Sequence, residues 1–218
     1  MIKFLSQQET QPPQNILDFL NDEFFAKINI ENPVNVVLIN CGWGGYCQGE
    51  KYTENNEIAI NNKIIDPEKF ARVYLHEFAH RLLPNLKGHP AEFFCLNSIL
   101  QTRADFYNHQ DAYDCQDVPS ELIPTMFQIV LPLVNQLAES SKTAEQCAAE
   151  ITAMNLTSIT TNKYNEINNL QATVSTQKAA ISNKNEKIAE LEKSNFLHFW
   201  GFWLAWAALA FNFIFKFF

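Results

Sequence analysis

Positive charge is what this chain most conspicuously lacks: 16 Lys and Arg stand against 24 Asp and Glu, for a net charge of −8 and a pI near 5.1. Nucleic-acid binding draws on a basic surface, so the charge balance gives no reason to expect a nucleic-acid partner. Cysteine is also sparse: the five residues Cys41, Cys47, Cys95, Cys115 and Cys147 are odd in number and irregular in spacing. They form neither a disulfide framework nor a Cys-x-x-Cys zinc site. They read as reduced thiols, with Cys95 in the core. The N-terminus has no continuous apolar stretch and no small-residue cleavage site, which excludes a secretory leader. Glycine is rare, and three of the six lie between 42 and 45. Proline and glycine are both absent from 141–194.

What the chain does have is one dense constellation, His76-Glu77-Phe78-Ala79-His80, followed after a break by His89. On a helix, positions i and i+4 lie about 40° apart and one turn above each other, so two imidazoles reach one metal ion from the same face. Glu77 is one residue further round, placed to hold a metal-bound water without being forced to coordinate. Catalytic zinc takes three protein ligands and keeps one position open. His76 and His80 are the first two, and His89 is the candidate third. Glu92, Asp105 and His109 are its competitors.

The surrounding text supports this placement. Val34–Ile39 is a β-rich run, 46–52 a candidate second strand, and Glu57–Ile65 a third that feeds into the motif. Read as hairpins, they predict a short antiparallel sheet laid on the motif helix. Asp66-Pro67 is a helix start, with Asp as N-cap and Pro at the first helical position. Ala71, Tyr74, Leu75, Phe78 and Leu82 then form an apolar face opposite the histidines. Pro84 ends the helix. Asn85–Gly88 is a connector, and His89-Pro90 opens a second helix running to about Tyr107.

The order strand, H-E-x-x-H helix, short loop, then His89 with Phe93 four residues on resembles the SprT-like and WLM-type small zinc metallopeptidases. The likeness covers about residues 55–105, with Pro90 standing where that family usually has glycine. It implies a zincin-like domain, a Zn2+ cofactor held by His76, His80 and His89, and Glu77 as general base and acid on the metal-bound water. The oxyanion-stabilising residue stays open among Tyr107, Tyr113 and Arg81. The Glu57–Ile65 strand is the edge on which an extended peptide substrate would lie.

Past residue 105 the chemistry thins. His109, Asp111, Asp114 and Asp117 fall in a polar stretch that reads as a solvated loop. Glu121–Leu137 is an apolar helix interrupted by Pro124 and Pro132, closing the domain. In 141–194 a heptad places Ala153, Thr160, Ile167, Val174, Ile181 and Ile188 at a, with Leu156, Lys163, Leu170, Gln177, Lys184 and Leu191 at d. Phe196–Phe215 carries no formal charge apart from His198 and has the length of a bilayer span. Asn212 is the polar residue within it, and Trp200, Trp203 and Trp206 are interfacial in type.

The expected fold is therefore α+β in three parts. These are a zinc metallopeptidase-like domain at 1–139, a helical or coiled-coil stalk at 140–194, and a C-terminal transmembrane anchor at 196–216. Lys184, Lys187 and Lys193 against Lys216 favour a cytoplasmic catalytic domain. The expected function is a membrane-tethered zinc metallopeptidase acting on a protein or peptide substrate, with the stalk as a homo-oligomer contact. The competing expectation is a non-catalytic membrane adaptor, assembled through its coiled coil and stabilised by a structural zinc.

Overall fold

The computed structural model describes residues 4–6, 12–32, 34–39, 45–46, 57–106, 115 and 117–216, with backbone alone at 4–6, 45–46 and 211–216. The chain divides into two compact units, Met1–Tyr164 and Asn165–Phe218. In the first, the strands are β1 (Phe4–Ser6), β2 (Asn35–Ile39), β3 (Gly45–Tyr46) and β4 (Glu57–Asn61). The helices are α1 (Gln14–Phe19), α2 (Asp22–Ile28), α3 (Pro67–Leu82), α4 (Ala91–Arg103), α5 (Ile123–Ala138) and α6 (Ala144–Met154). A further helix, α7, spans Leu156–Lys216, and its opening turns bury Leu156 and Thr160 in the first unit.

The sheet has strand order β1-β2-β4-β3. β1, β2 and β4 run parallel, with Val36 opposite Ile58 and Leu38 opposite Ile60, and only β3 is antiparallel to β4. The expected antiparallel, hairpin-built sheet is corrected accordingly, and with it the zincin-like fold class: the protein is mostly helical, with a small, mainly parallel sheet. Parallel neighbours need a crossover rather than a tight turn, and α1 and α2 supply it between β1 and β2. Such strands are covered on both faces and read as continuous apolar runs. Val36–Leu38 and Ile58–Ile60 are buried throughout. β4 ends at Asn61, four residues before the expected Ile65. There the Asn61 side chain accepts from the Lys63 N–H at 3.0 Å and turns the chain.

Asp66 caps α3 as expected, accepting from the Lys69 N–H at 2.7 Å. Phe70, Ala71, Tyr74, Leu75 and Phe78 are buried, and α3 packs on β4, α1 and α4. α4 is buried on nearly every face and packs against α2, α3, α5 and α6, making it the centre of the unit. It stops at Arg103, short of the expected Tyr107, because Asp105 turns left-handed (φ 61°) and the Phe106 N–H returns to the Gln101 carbonyl at 2.8 Å. α5 buries Met126, Val130, Val134 and Leu137 against α4.

Residues 140–164, read from sequence as the start of a stalk, belong to the first unit: α6 buries Ala144, Cys147, Ala148 and Ile151. The transmembrane anchor is also corrected. Among the described residues no helix is long and apolar enough to cross a membrane. The apolar run includes His198, Gly201 and three tryptophans, which lower its mean hydropathy. The single-pass, tail-anchored location loses its basis with it, and Asn212 lies outside the described side chains.

Candidate metal centre

One helix and the loop after it deliver three histidines to one place. His76 and His80 project from successive turns of α3, and His89 comes from the loop joining α3 to α4. Their ligand nitrogens all lie within 4.8 Å of one another. His80 Nε2 and His89 Nε2 are 3.0 Å apart. The ring centroids of His76 lie 5.0 Å from His80 and 4.9 Å from His89. The three histidines are thus close enough to bind a metal ion, and among the described residues no other such group forms.

The donor set tests well against a metal. Two nitrogens at about 2.0–2.1 Å from a tetrahedral zinc sit about 3.3 Å from each other, close to the His80–His89 separation. Imidazole nitrogens suit zinc, copper, iron and nickel alike, so the donor set does not choose among them. The floor of the site is Phe93, one turn into α4. Its ring stacks on His80 at 4.1 Å and on His89 at 4.4 Å, and meets His76 edge-on at 5.0 Å. A rigid apolar ring under three ligands restricts their χ2 rotation and limits access of water from that side.

Glu77 is buried, at 4% exposure, one residue along α3 from His76. That offset of about 100° keeps it on a flank of the ligand face. Arg81 follows His80 on α3 and is half-buried. Of the competing ligands, Glu92 is buried but engaged elsewhere: its carboxylate accepts from the Thr157 N–H at 2.9 Å and from the Thr157 hydroxyl, at the start of α7. Asp105 pairs with Lys27 at 3.1 Å, and neither residue belongs to the cluster. Tyr107, His109, Asp111, Tyr113 and Asp114 lie outside the described residues.

Two residues gain a role that the sequence does not announce. The His89 N–H donates to Asp117 Oδ2 at 2.7 Å. Gly88 holds φ +68°, and a Cβ placed there would lie 2.4 Å from the same oxygen. β4, expected as the edge for a peptide substrate, is instead an interior strand between β2 and β3, so that assignment is corrected. The outer strand on that side is β3, which packs against α3.

The fold and site thus define a mostly helical protein with a small, mainly parallel sheet and three histidines close enough to bind a metal ion. Comparison with known proteins adds no kinship: no family model, no curated protein and no solved structure matches the chain.

Proposed function

We propose that the protein is a zinc-dependent metallopeptidase acting on a protein or peptide substrate, with His76, His80 and His89 as ligands. The observation that carries this reading is the convergence of the three histidines, with buried Glu77 next in sequence to the first of them. When bound there, zinc would supply Lewis acidity, lowering the pKa of a coordinated water toward about 7 and polarising a carbonyl. Glu77 would accept the attacking water's proton on a carboxylate oxygen and return it to the leaving amine nitrogen. Phe93 holds the imidazoles in place. An extended peptide adding to the sheet would meet β3, the outer strand beside α3. The kinship with SprT-like and WLM-type peptidases belongs to the same proposal and rests on the motif alone.

Glu77 separates this reading from a structural metal site, which has no use for an acid between two ligands. In the zinc-loaded full chain, Glu77→Gln should keep metal near one ion per chain while cleavage of an unfolded protein such as casein falls by about 10²–10⁴-fold. Equal cleavage by the variant would sink the peptidase reading. Metal binding with no cleavage by wild type on any unfolded protein would favour the structural site.

A further inference from the structure

His76 and His80 are held by the backbone of α3, but His89 sits in a loop, where no helical repeat fixes it. Something outside the loop must set its position if it is to meet the other two. Asp117, 28 positions downstream of His89, reaches this loop. Its carboxylate accepts the His89 N–H at 2.7 Å, a charge-assisted bond of the stronger kind. The same oxygen stands 2.4 Å from where a Cβ on Gly88 would lie, and Gly88 holds a left-handed φ of +68°. A side chain at 88 would be strained by that φ and would occupy the space Asp117 fills.

We propose that Gly88 and Asp117 form a latch that positions the third metal ligand, making Asp117 a positioning residue for the site rather than a ligand. The latch acts on the backbone of His89 and leaves both ring nitrogens to the metal and its surroundings. Asp117 is exposed. What the latch needs is one acceptor oxygen at that point. Asparagine can supply the oxygen and alanine cannot.

The inference rests on the metal-site reading, and its test separates the two. Metal affinity of the full chain is measured by competition for Zn2+ against a chromophoric chelator, and Co2+ is used to record the ligand-field spectrum. Partners that orient metal ligands typically contribute 10–100-fold in affinity, so Asp117→Ala should weaken Zn2+ binding about tenfold or more and alter the Co2+ spectrum. Asp117→Asn should restore both to near wild type. Gly88→Ala should weaken binding too. Combined with Asp117→Ala it should cost less than the sum of the two, because the two changes break one contact. A wild-type chain that takes up no metal overturns the metal reading and the latch together. If wild type binds and Asp117→Ala binds equally well, only the latch falls. It falls also if asparagine is as poor as alanine, or if metal-free Asp117→Ala melts well below metal-free wild type, since the effect would then be general destabilisation.

Discussion

At the scale of single residues, burial decides which groups hold their protons. Cys95 is fully buried in α4, and its thiol is pushed far above the ordinary range, first by desolvation and then by Cys147 and Glu92 nearby. In the unfolded chain the same thiol ionises near 8.5. A folded-state pKa above the unfolded one means that stability is complete below about pH 8.5. It is lost above that value, as the unfolded thiol gives up a proton the native one keeps. From pH ~7.5 to pH ~9.5 this one group should cost about 1.4 kcal/mol. Urea unfolding of wild type and Cys95→Ala at both values checks it: the wild type should lose about that much more than the variant, and equal losses would refute the account. The three-histidine cluster was legible at this scale because its members follow local rules, the i,i+4 pair on α3 and the proline-flanked loop carrying His89. Phe93 stood in the motif, but its stacking under His80 and His89 became visible only once α4 was folded against α3. Asp117 was read only as part of a solvated loop: its partner lies 28 positions away, and an Asp in polar text carries no signal of range.

At the scale of elements, the interlocking of α2, α4, α5 and α6 turns on Arg103, the last residue of α4. Its guanidinium is buried and donates to the carbonyls of Leu137 at 2.8 Å, Ala138 and Ser140 at 3.2 Å and Ile28 at 3.3 Å. It also approaches Cys147 Sγ at 3.7 Å. A cation here satisfies the orphan carbonyls that end α2 and α5 and complements both helix dipoles. Arg103→Met keeps much of the volume and takes a donor from the Ala138, Ser140 and Ile28 carbonyls, each at a cost of about 1–3 kcal/mol, while the Leu137 carbonyl keeps the Ser140 N–H and hydroxyl. The expected loss is on the order of 3 kcal/mol in the urea unfolding free energy, since some carbonyls regain water, and a loss below about 1 kcal/mol would show that they all do. Helices were well anticipated because their stop signals are local: Asp66-Pro67 and Pro84 bracket α3. The sheet was misread because strand direction is not local. Val36–Leu38 is apolar at every position, which is the mark of a strand covered on both faces. Its parallel partner β1 is only three residues long, set in the polar N-terminal stretch, so the hairpin reading had no visible rival.

At the scale of the whole molecule, the boundary between the two units falls after Tyr164. A heptad frame laid from Ala153 hid this, because it passes over the different stripe Cys147, Ala148 and Ile151 by which α6 joins the core. From Asn165 onward the stripe has no cover within its own unit: Leu170, Val174, Ile181, Ile188 and Leu191 are each 53–61% exposed. β-branched residues at a with Leu at d favour two strands. Lys184 at d points the same way, since in a two-stranded coil its stem can lie on the seam while the ammonium reaches water, whereas a larger bundle would enclose the charge. In a parallel pair, Lys187 at g also faces Glu192 at e of the other chain. The full chain should therefore sediment at twice its 25.0 kDa, and Ile181→Asp with Ile188→Asp should return it to one chain without loss of bound metal. The two requirements are separable. A mass of one chain for wild type at tens of micromolar refutes the pairing, and so does a larger assembly that survives the double substitution. Loss of metal in the double variant would mean instead that the site in the first unit depends on pairing in the second, which no described contact of His76, His80, His89 or Asp117 requires.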